Sequence, residues 1–170
     1  MSKPKPPRLW RSGGGSVDLR KFSYGATSAV VTGMALVTGL DAANSTRLTI
    51  IAGLLIFAVA DNLSDSLSIH IYQESERLDE RAALRATLAN FATRLGVSLS
   101  FVLIVLLAPA AVAVIAAVIW GNGILCAMTA LLARERGVPV ATEIAKHLAL
   151  AAAVIIASKG IGAWLLRAVG

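Results

Sequence analysis

The sequence predicts an all-α integral membrane protein of five transmembrane helices, with the N-terminus cytoplasmic and the C-terminus outside. Three observations predict it. Of 170 residues, 56% are hydrophobic and 15% charged, with a mean hydropathy of +0.73. An ordinary soluble domain carries about 25% charged residues. No charged residue occurs between Arg94 and Arg134. At about 1.5 Å per residue that interval is nearly 60 Å of helix, roughly two bilayer crossings. Finally, Lys and Arg divide unevenly once the spans are drawn. Thirteen fall in segments on the side of the N-terminus, only Arg47 and Arg167 on the other, and Lys159 inside a span. Such a bias marks the cytoplasmic side. The net charge of +6 and the pI of 10.1 thus reflect topology, and no nucleic-acid partner is implied.

Residues 1–21 are rich in Pro, Gly and basic side chains and read as a disordered, basic cytoplasmic tail. No apolar stretch follows closely enough to form a cleaved signal. The first span, 22–42, is crowded with small residues: Gly25, Ala29 and Gly33 recur every four positions. That spacing lets helix backbones approach closely, either within one subunit or across a homodimer formed through this span. Asp41 to Thr46 is a polar turn, and Asn44, Ser45 or Thr46 can cap the next helix. The second span is 48–72. Residues 73–90 continue as a short cytoplasmic helical segment with Arg77, Arg81 and Arg85 on one face, a solvated, ion-paired surface. The third span is 91–108, with Arg94 at its boundary. Pro109 breaks it, and the fourth span, 110–133, carries the mid-membrane amide of Asn122, read as a bond between helices. Arg134-Glu135-Arg136-Gly137-Val138-Pro139 is a stop signal. Thr142 can cap the fifth span, 144–167.

The chemistry concentrates in Ile50 to Glu76, which is apolar enough to cross a bilayer yet holds Asp61 and Asp65 in its middle. A carboxylate in hydrocarbon costs on the order of 3 kcal/mol, so two of them point to use rather than accident. Helical spacing puts Asp61, Asp65, Ser68 and Tyr72 on one face, a polar stripe unsuited to lipid. Two carboxylates one turn apart resist double ionisation in low dielectric, and a divalent cation between them removes the penalty. Oxygen ligands suit hard ions such as Mg²⁺ and Mn²⁺ and tolerate Fe²⁺. Ser64 and Ser68 are close by on the same helix. His70 and Glu74, one turn apart nearer the cytoplasm, read either as an entrance or as plain interfacial residues. Lys159 in the fifth span offers a competing partner, an intramembrane ion pair with Asp61 that would leave Asp65 alone.

An enzyme is not indicated. His70 and His147 have no ligand spacing, Cys126 is the single cysteine and reads as a small hydrophobe, and no phosphate-binding glycine loop or nucleophile elbow occurs. No resident cofactor is expected.

The first span, Tyr24-Gly25-Ala26-Thr27-Ser28-Ala29-Val30-Val31-Thr32-Gly33-Met34-Ala35-Leu36-Val37-Thr38-Gly39, resembles the first-helix signature of the vacuolar iron transporter family, approximately G-x-N-D-G-L-V-T-T-F-A-L-V-S-G. Ile51-Ala52-Gly53-Leu54 and Ala60-Asp61-Asn62-Leu63-Ser64 are similar to its second-helix pattern. The resemblance implies a dimeric exporter of ferrous iron or manganese in exchange for protons, in a bacterial-type inner (plasma) membrane. It implies a path along the first two helices, adding Ser28 to Asp61, Asp65, Ser64, Ser68, His70 and Glu74 as the metal set. Three positions depart from the pattern. Ser28 stands where the family has Asp, Asp65 where Met is common, and residues 73–90 are too short for the family's cytoplasmic metal-binding domain. The alternative function is a non-transporting scaffold or regulatory homologue of that family.

Overall fold

A computed structural model describes residues 19–75 and 80–169. They form five helices: α1 (Leu19–Ala42), α2 (Arg47–Ser75), α3 (Glu80–Leu107), α4 (Ala110–Arg136) and α5 (Val140–Val169). The described residues contain no strand. Four helices hold segments long and apolar enough to cross a membrane, Arg47–Ser68, Thr87–Leu107, Ala110–Arg136 and Val140–Val169, as in a multi-pass membrane protein. In α1 the described apolar portion is Ala26–Ala42. Of the basic tail expected over 1–21, residues 1–18 lie outside the described residues, as does Arg77 in the segment 76–79, while Leu19, Arg20 and Lys21 are helical and open α1 rather than ending a disordered tail.

Each break between helices has a local cause. Thr46 caps α2: its Oγ1 accepts the amide of Thr49 at 3.2 Å, and Asn44 takes a left-handed φ of 55° to make the turn. Pro109 ends α3 and opens α4. At the far end of α4, Gly137 adopts φ 66°, and the amide of Val138 reaches back to the Ala133 carbonyl at 3.0 Å, a glycine C-cap. The fifth helix starts at Val140, directly after Pro139. Thr142 is therefore inside its first turn, not at its cap. The third helix also begins earlier than the sequence suggested. Glu80 to Leu107 is one continuous helix, because nothing in 80–90 breaks it, so the segment expected over 73–90 is divided: 73–75 end α2, 76–79 lie outside the described residues and 80–90 are the first turns of α3.

Helix α1 is the hub, packed by α3, α4 and α5, while α2 lies chiefly against α3. No residue of α1 from Ala26 to Leu40 is exposed. Phe101 of α3 and Met34 of α1 are fully buried in the core with Val30, Val37, Leu54 and Leu125. Two glycines make room for them. A Cβ on Gly33 would sit 2.9 Å from the Phe101 ring, and one on Gly121 would sit 2.6 Å from the Met34 side chain. Along α4 the buried stripe is Ala113, Ala117, Gly121, Leu125, Thr129 and Ala133, small at nearly every fourth residue. The small residues of α1 thus serve packing inside the subunit. A homodimer through this span is not supported, because α3, α4 and α5 already cover the face that Ala29 and Gly33 would present.

The end of the α2–α3 pair remote from residues 76–79 is tied by Arg47. Its Nε donates to the Val105 carbonyl at 2.6 Å, and Nη2 donates to Leu106 and, at 2.8 Å, to Ala108. A cation here satisfies carbonyls that the end of α3 leaves open and opposes the negative end of its dipole. This contact fixes the antiparallel register of the two helices, and so decides what meets deeper in the pair.

Candidate functional site: an arginine held by two aspartates

Fourteen residues separate Arg47 from Asp61, about 21 Å of helix, a depth well inside the hydrocarbon of a bilayer roughly 30 Å thick. Counting back a similar distance along α3 from its Arg47-bound carbonyls reaches Arg94. The register therefore brings Arg94 to the aspartates. Arg94 Nη2 pairs with Asp61 Oδ2, Nη1 lies 3.3 Å from Asp65 Oδ2, and Nε donates to Asn62 Oδ1 at 2.9 Å. Asn90, one turn earlier on α3, donates from Nδ2 to Asp65 Oδ2 at 3.0 Å.

Burial is uneven across the cluster. The Arg94 side chain is 2% exposed, Asp65 28% and Asp61 45%. A buried guanidinium would be prohibitively costly alone, and a fork of donors facing carboxylates is the arrangement that offsets it. With both carboxylates ionised, the cluster carries one negative charge beyond the guanidinium. Its acidic side is also its open side, since Asp61 is at the rim of the helix pair.

The seam around this cluster is polar on both helices. Asn62 and Ser66 of α2 face Thr87, Asn90, Arg94 and Ser98 of α3, and all six are buried. Six polar atoms there have no hydrogen-bond partner among the described residues: Asn62 Nδ2, Ser66 Oγ, Thr87 Oγ1, Asn90 Oδ1, Ser98 Oγ and Arg94 Nη1, the last ion-paired with Asp65 at 3.3 Å. Left dry, each such atom costs about 1–3 kcal/mol.

The sequence-derived site residues divide accordingly. Asp61 and Asp65 come together, through a partner that the sequence did not assign. Lys159 does not reach them. It is exposed on α5, which packs on α1 and α4, and Arg94 takes the place of the expected Lys159–Asp61 pair because it is opposite Asp61 in the hairpin. Ser64 and Ser68 are exposed, and Ser68 Oγ donates to the Ser64 carbonyl at 3.0 Å. Ser64 is about 200° around the helix from Asn62, so it faces away from the seam. The polar stripe of α2 therefore runs through Asn62 and Ser66, flanked by the aspartates. Ser28 is half-buried on α1, which touches α2 only lightly, and His70 is half-buried farther along α2. The side chains of Tyr72 and Glu74 lie outside the described ones. Among the described residues no group of three or more His, Cys, Asp and Glu could hold a metal ion. Asn122, expected to bond between helices, donates instead to the Val118 carbonyl of its own helix at 2.9 Å. The α3–α4 link is made by Trp120, whose Nε1 donates to Ser100 Oγ at 2.9 Å.

Arg94 was legible in one respect. Thr87, Asn90, Arg94 and Ser98 recur at helical spacing, as Asn62 and Ser66 do, and two such stripes joined by a short connection invite pairing. Reading Arg94 as a boundary charge hid it.

Comparison of the chain with family models, with curated proteins and with solved structures gives no match.

Proposed function

We propose that the chain is a membrane transporter of divalent cations, of the ferrous iron and manganese kind to which its first two helices bear a resemblance, exchanging the cation for protons at the Asp61–Asp65–Arg94 centre. The observation that supports it best is the pair of aspartates that share one buried guanidinium at membrane depth, with Asp61 still 45% exposed. Such a pair can be neutralised in three ways: by Arg94, by protons or by an incoming cation. Competition among them is the minimum that exchange requires, since carboxylate ligands must be deprotonated to bind metal. In this reading Arg94 is a resident counter-ion that yields one or both carboxylates to the cargo. Counting Arg94 as buried, the inner segments keep twelve Lys and Arg against two outside. That supports a cytoplasmic N-terminus, while export from the cytosol and an inner-membrane setting rest on the resemblance alone. A homodimer, if formed, would use a surface other than α1.

A second reading is favoured by the three α2 side chains that Arg94 engages. A guanidinium bonded to Asp61, Asn62 and Asp65 is also a structural lock, as a non-transporting scaffold would need. Calorimetric titration of the purified protein with Mn²⁺ separates the two. The transporter reading expects measurable binding in the wild type and a loss of about tenfold or more in Asp65→Asn, because each carboxylate charge contributes well over 1 kcal/mol to a hard cation in low dielectric. A wild type that binds no Mn²⁺ while folding normally leaves the lock as the function of the cluster.

A further inference from the structure

A cavity of about 120 Å³ lies at the end of the bundle remote from residues 76–79. Its floor is Val37, Ile50, Val105 and Ala113, one buried side chain from each of α1 to α4. Its polar wall is Asp41 from the last turn of α1, Ser45 from the turn that follows and Arg47 from the start of α2. A water takes up about 30 Å³ in the liquid, so the space admits a group of several heavy atoms.

The two charges in this wall are spent differently. Arg47 commits Nε and Nη2 to the Val105, Leu106 and Ala108 carbonyls, and no described residue bonds its Nη1. The Asp41 carbonyl takes the Asn44 amide at 2.9 Å, but the Asp41 carboxylate has neither a hydrogen bond nor an ion pair among the described residues. The two residues line one cavity without pairing with each other. A carboxylate in the last turn of a helix is also opposed by the negative end of that helix's dipole. Nothing in the local structure compensates Asp41, and a cationic group in the cavity would.

The charges specify the ligand further. A lone cation drawn to Asp41 meets Arg47 across the cavity, and a lone anion drawn to Arg47 meets Asp41. A group carrying both signs suits each, and the apolar floor accommodates the carbons between them. The surroundings are apolar as well. Leu48, next to Arg47 in α2, is 76% exposed, and Leu107, between the Leu106 and Ala108 carbonyls that Arg47 binds, is 75% exposed. Exposed leucines beside charged groups, at the end of membrane-spanning helices, suit the level where hydrocarbon gives way to head groups.

We propose that this cavity binds a phosphoethanolamine group, with its primary ammonium on Asp41 and Ser45 and its phosphate on Arg47, presented by a membrane phospholipid or by a soluble ester. A primary ammonium brings three donors and little bulk, and a guanidinium matches a phosphate. The site is about 21 Å of helix from Asp61 and does not depend on transport.

Melting curves test it. Wild type, Asp41→Asn and Asp41→Lys are purified in detergent. Each is heated with phosphatidylethanolamine, with phosphatidylglycerol of the same acyl chains, or with soluble phosphoethanolamine. Both variants remove a charge that opposes the α1 dipole, so the fold should survive them. Phosphatidylethanolamine is expected to raise the wild-type melting temperature by about 5 °C or more at a hundredfold excess over Kd, and phosphatidylglycerol by less than half as much. Asp41→Asn should lose that preference. Asp41→Lys should reverse it, because a second cation in the wall favours a head group that is only anionic. A purely structural Asp41 would not produce a reversal. Stabilisation by the soluble ester as well assigns the free zwitterion, and stabilisation by the lipid alone assigns the head group. Equal effects of the two lipids on the wild type, or a preference unchanged in Asp41→Asn, overturns the site. No arm contains Mn²⁺, so failure here and failure of the Asp61–Asp65 cation site are distinguishable.

Discussion

Around α1 the helices close on one another through missing side chains. Gly33 and Gly121 admit Phe101 and Met34, and Gly162 of α5 lies so close to the Gly39 carbonyl that no Cβ fits between them. Between α2 and α3 the contact is made by side chains that are present, charged and only partly satisfied: Arg94 with Asp61 and Asp65, and a row of amides and hydroxyls. In lipid, apolar surface is no reason for two helices to associate, since the tails are as apolar as leucine. The α1 interfaces answer this with close van der Waals fit, which tolerates few substitutions but titrates nothing. The α2–α3 interface answers it with electrostatics, which specify a register and can also be altered by protons or ions. The chain has thus separated a rigid hub from a responsive pair, and any gating or exchange belongs to the pair.

Three substitutions sharpen or break that contrast. The largest effect is expected from Arg94→Met, which leaves two carboxylates together in the seam. Loss of one partner from a buried ion pair costs about 3–5 kcal/mol. In detergent melts this variant should be the least stable, and adding Asp61→Asn and Asp65→Asn should restore much of the loss, since no unpaired charge is left. If Arg94→Met melts like the wild type, the cluster does not hold the hairpin. Next comes Gly162→Ala, the smallest addition possible. Overpacking of this kind costs about 1–3 kcal/mol. It should act by pushing α5 from α1, so Mn²⁺ binding at the α2–α3 pair, if present in the wild type, should survive it at temperatures below the melt. Coupled loss of binding would show that hub and pair are one unit. The smallest effect belongs to Lys159→Met. An exposed side chain away from the cluster should change stability by less than about 0.5 kcal/mol, and a large change would revive a Lys159–Asp61 pair.

How much of this was legible in advance follows from the kind of information each feature needs. Helix existence did not need a tertiary structure. The apolar runs, Pro109, the Gly137-Val138-Pro139 stop and the Thr46 cap act within a few residues, so local chemistry placed the elements, with errors at the ends of α3 and α5. That Asp61 and Asp65 would need partners was also evident, because a carboxylate in a membrane span is anomalous wherever it lies. Their partner was not. Lys159 and Arg94 are both cations that a helix could bring to membrane depth, and sequence distance does not choose between them. The choice was made by Arg47, whose bonds to the Val105 and Ala108 carbonyls set the hairpin register that brings Arg94 opposite Asp61. The use of Gly33 was equally undecided, since a glycine admits a neighbour from its own subunit or from another with the same geometry. Only the packed positions of Phe101, α4 and α5 showed that its face was already taken. The sequence by itself determined which segments are helical and apolar and that carboxylates within an apolar span needed an answer. The tertiary structure decided which cation answers them, because pairing across helices depends on register, and register is a property of the assembled bundle.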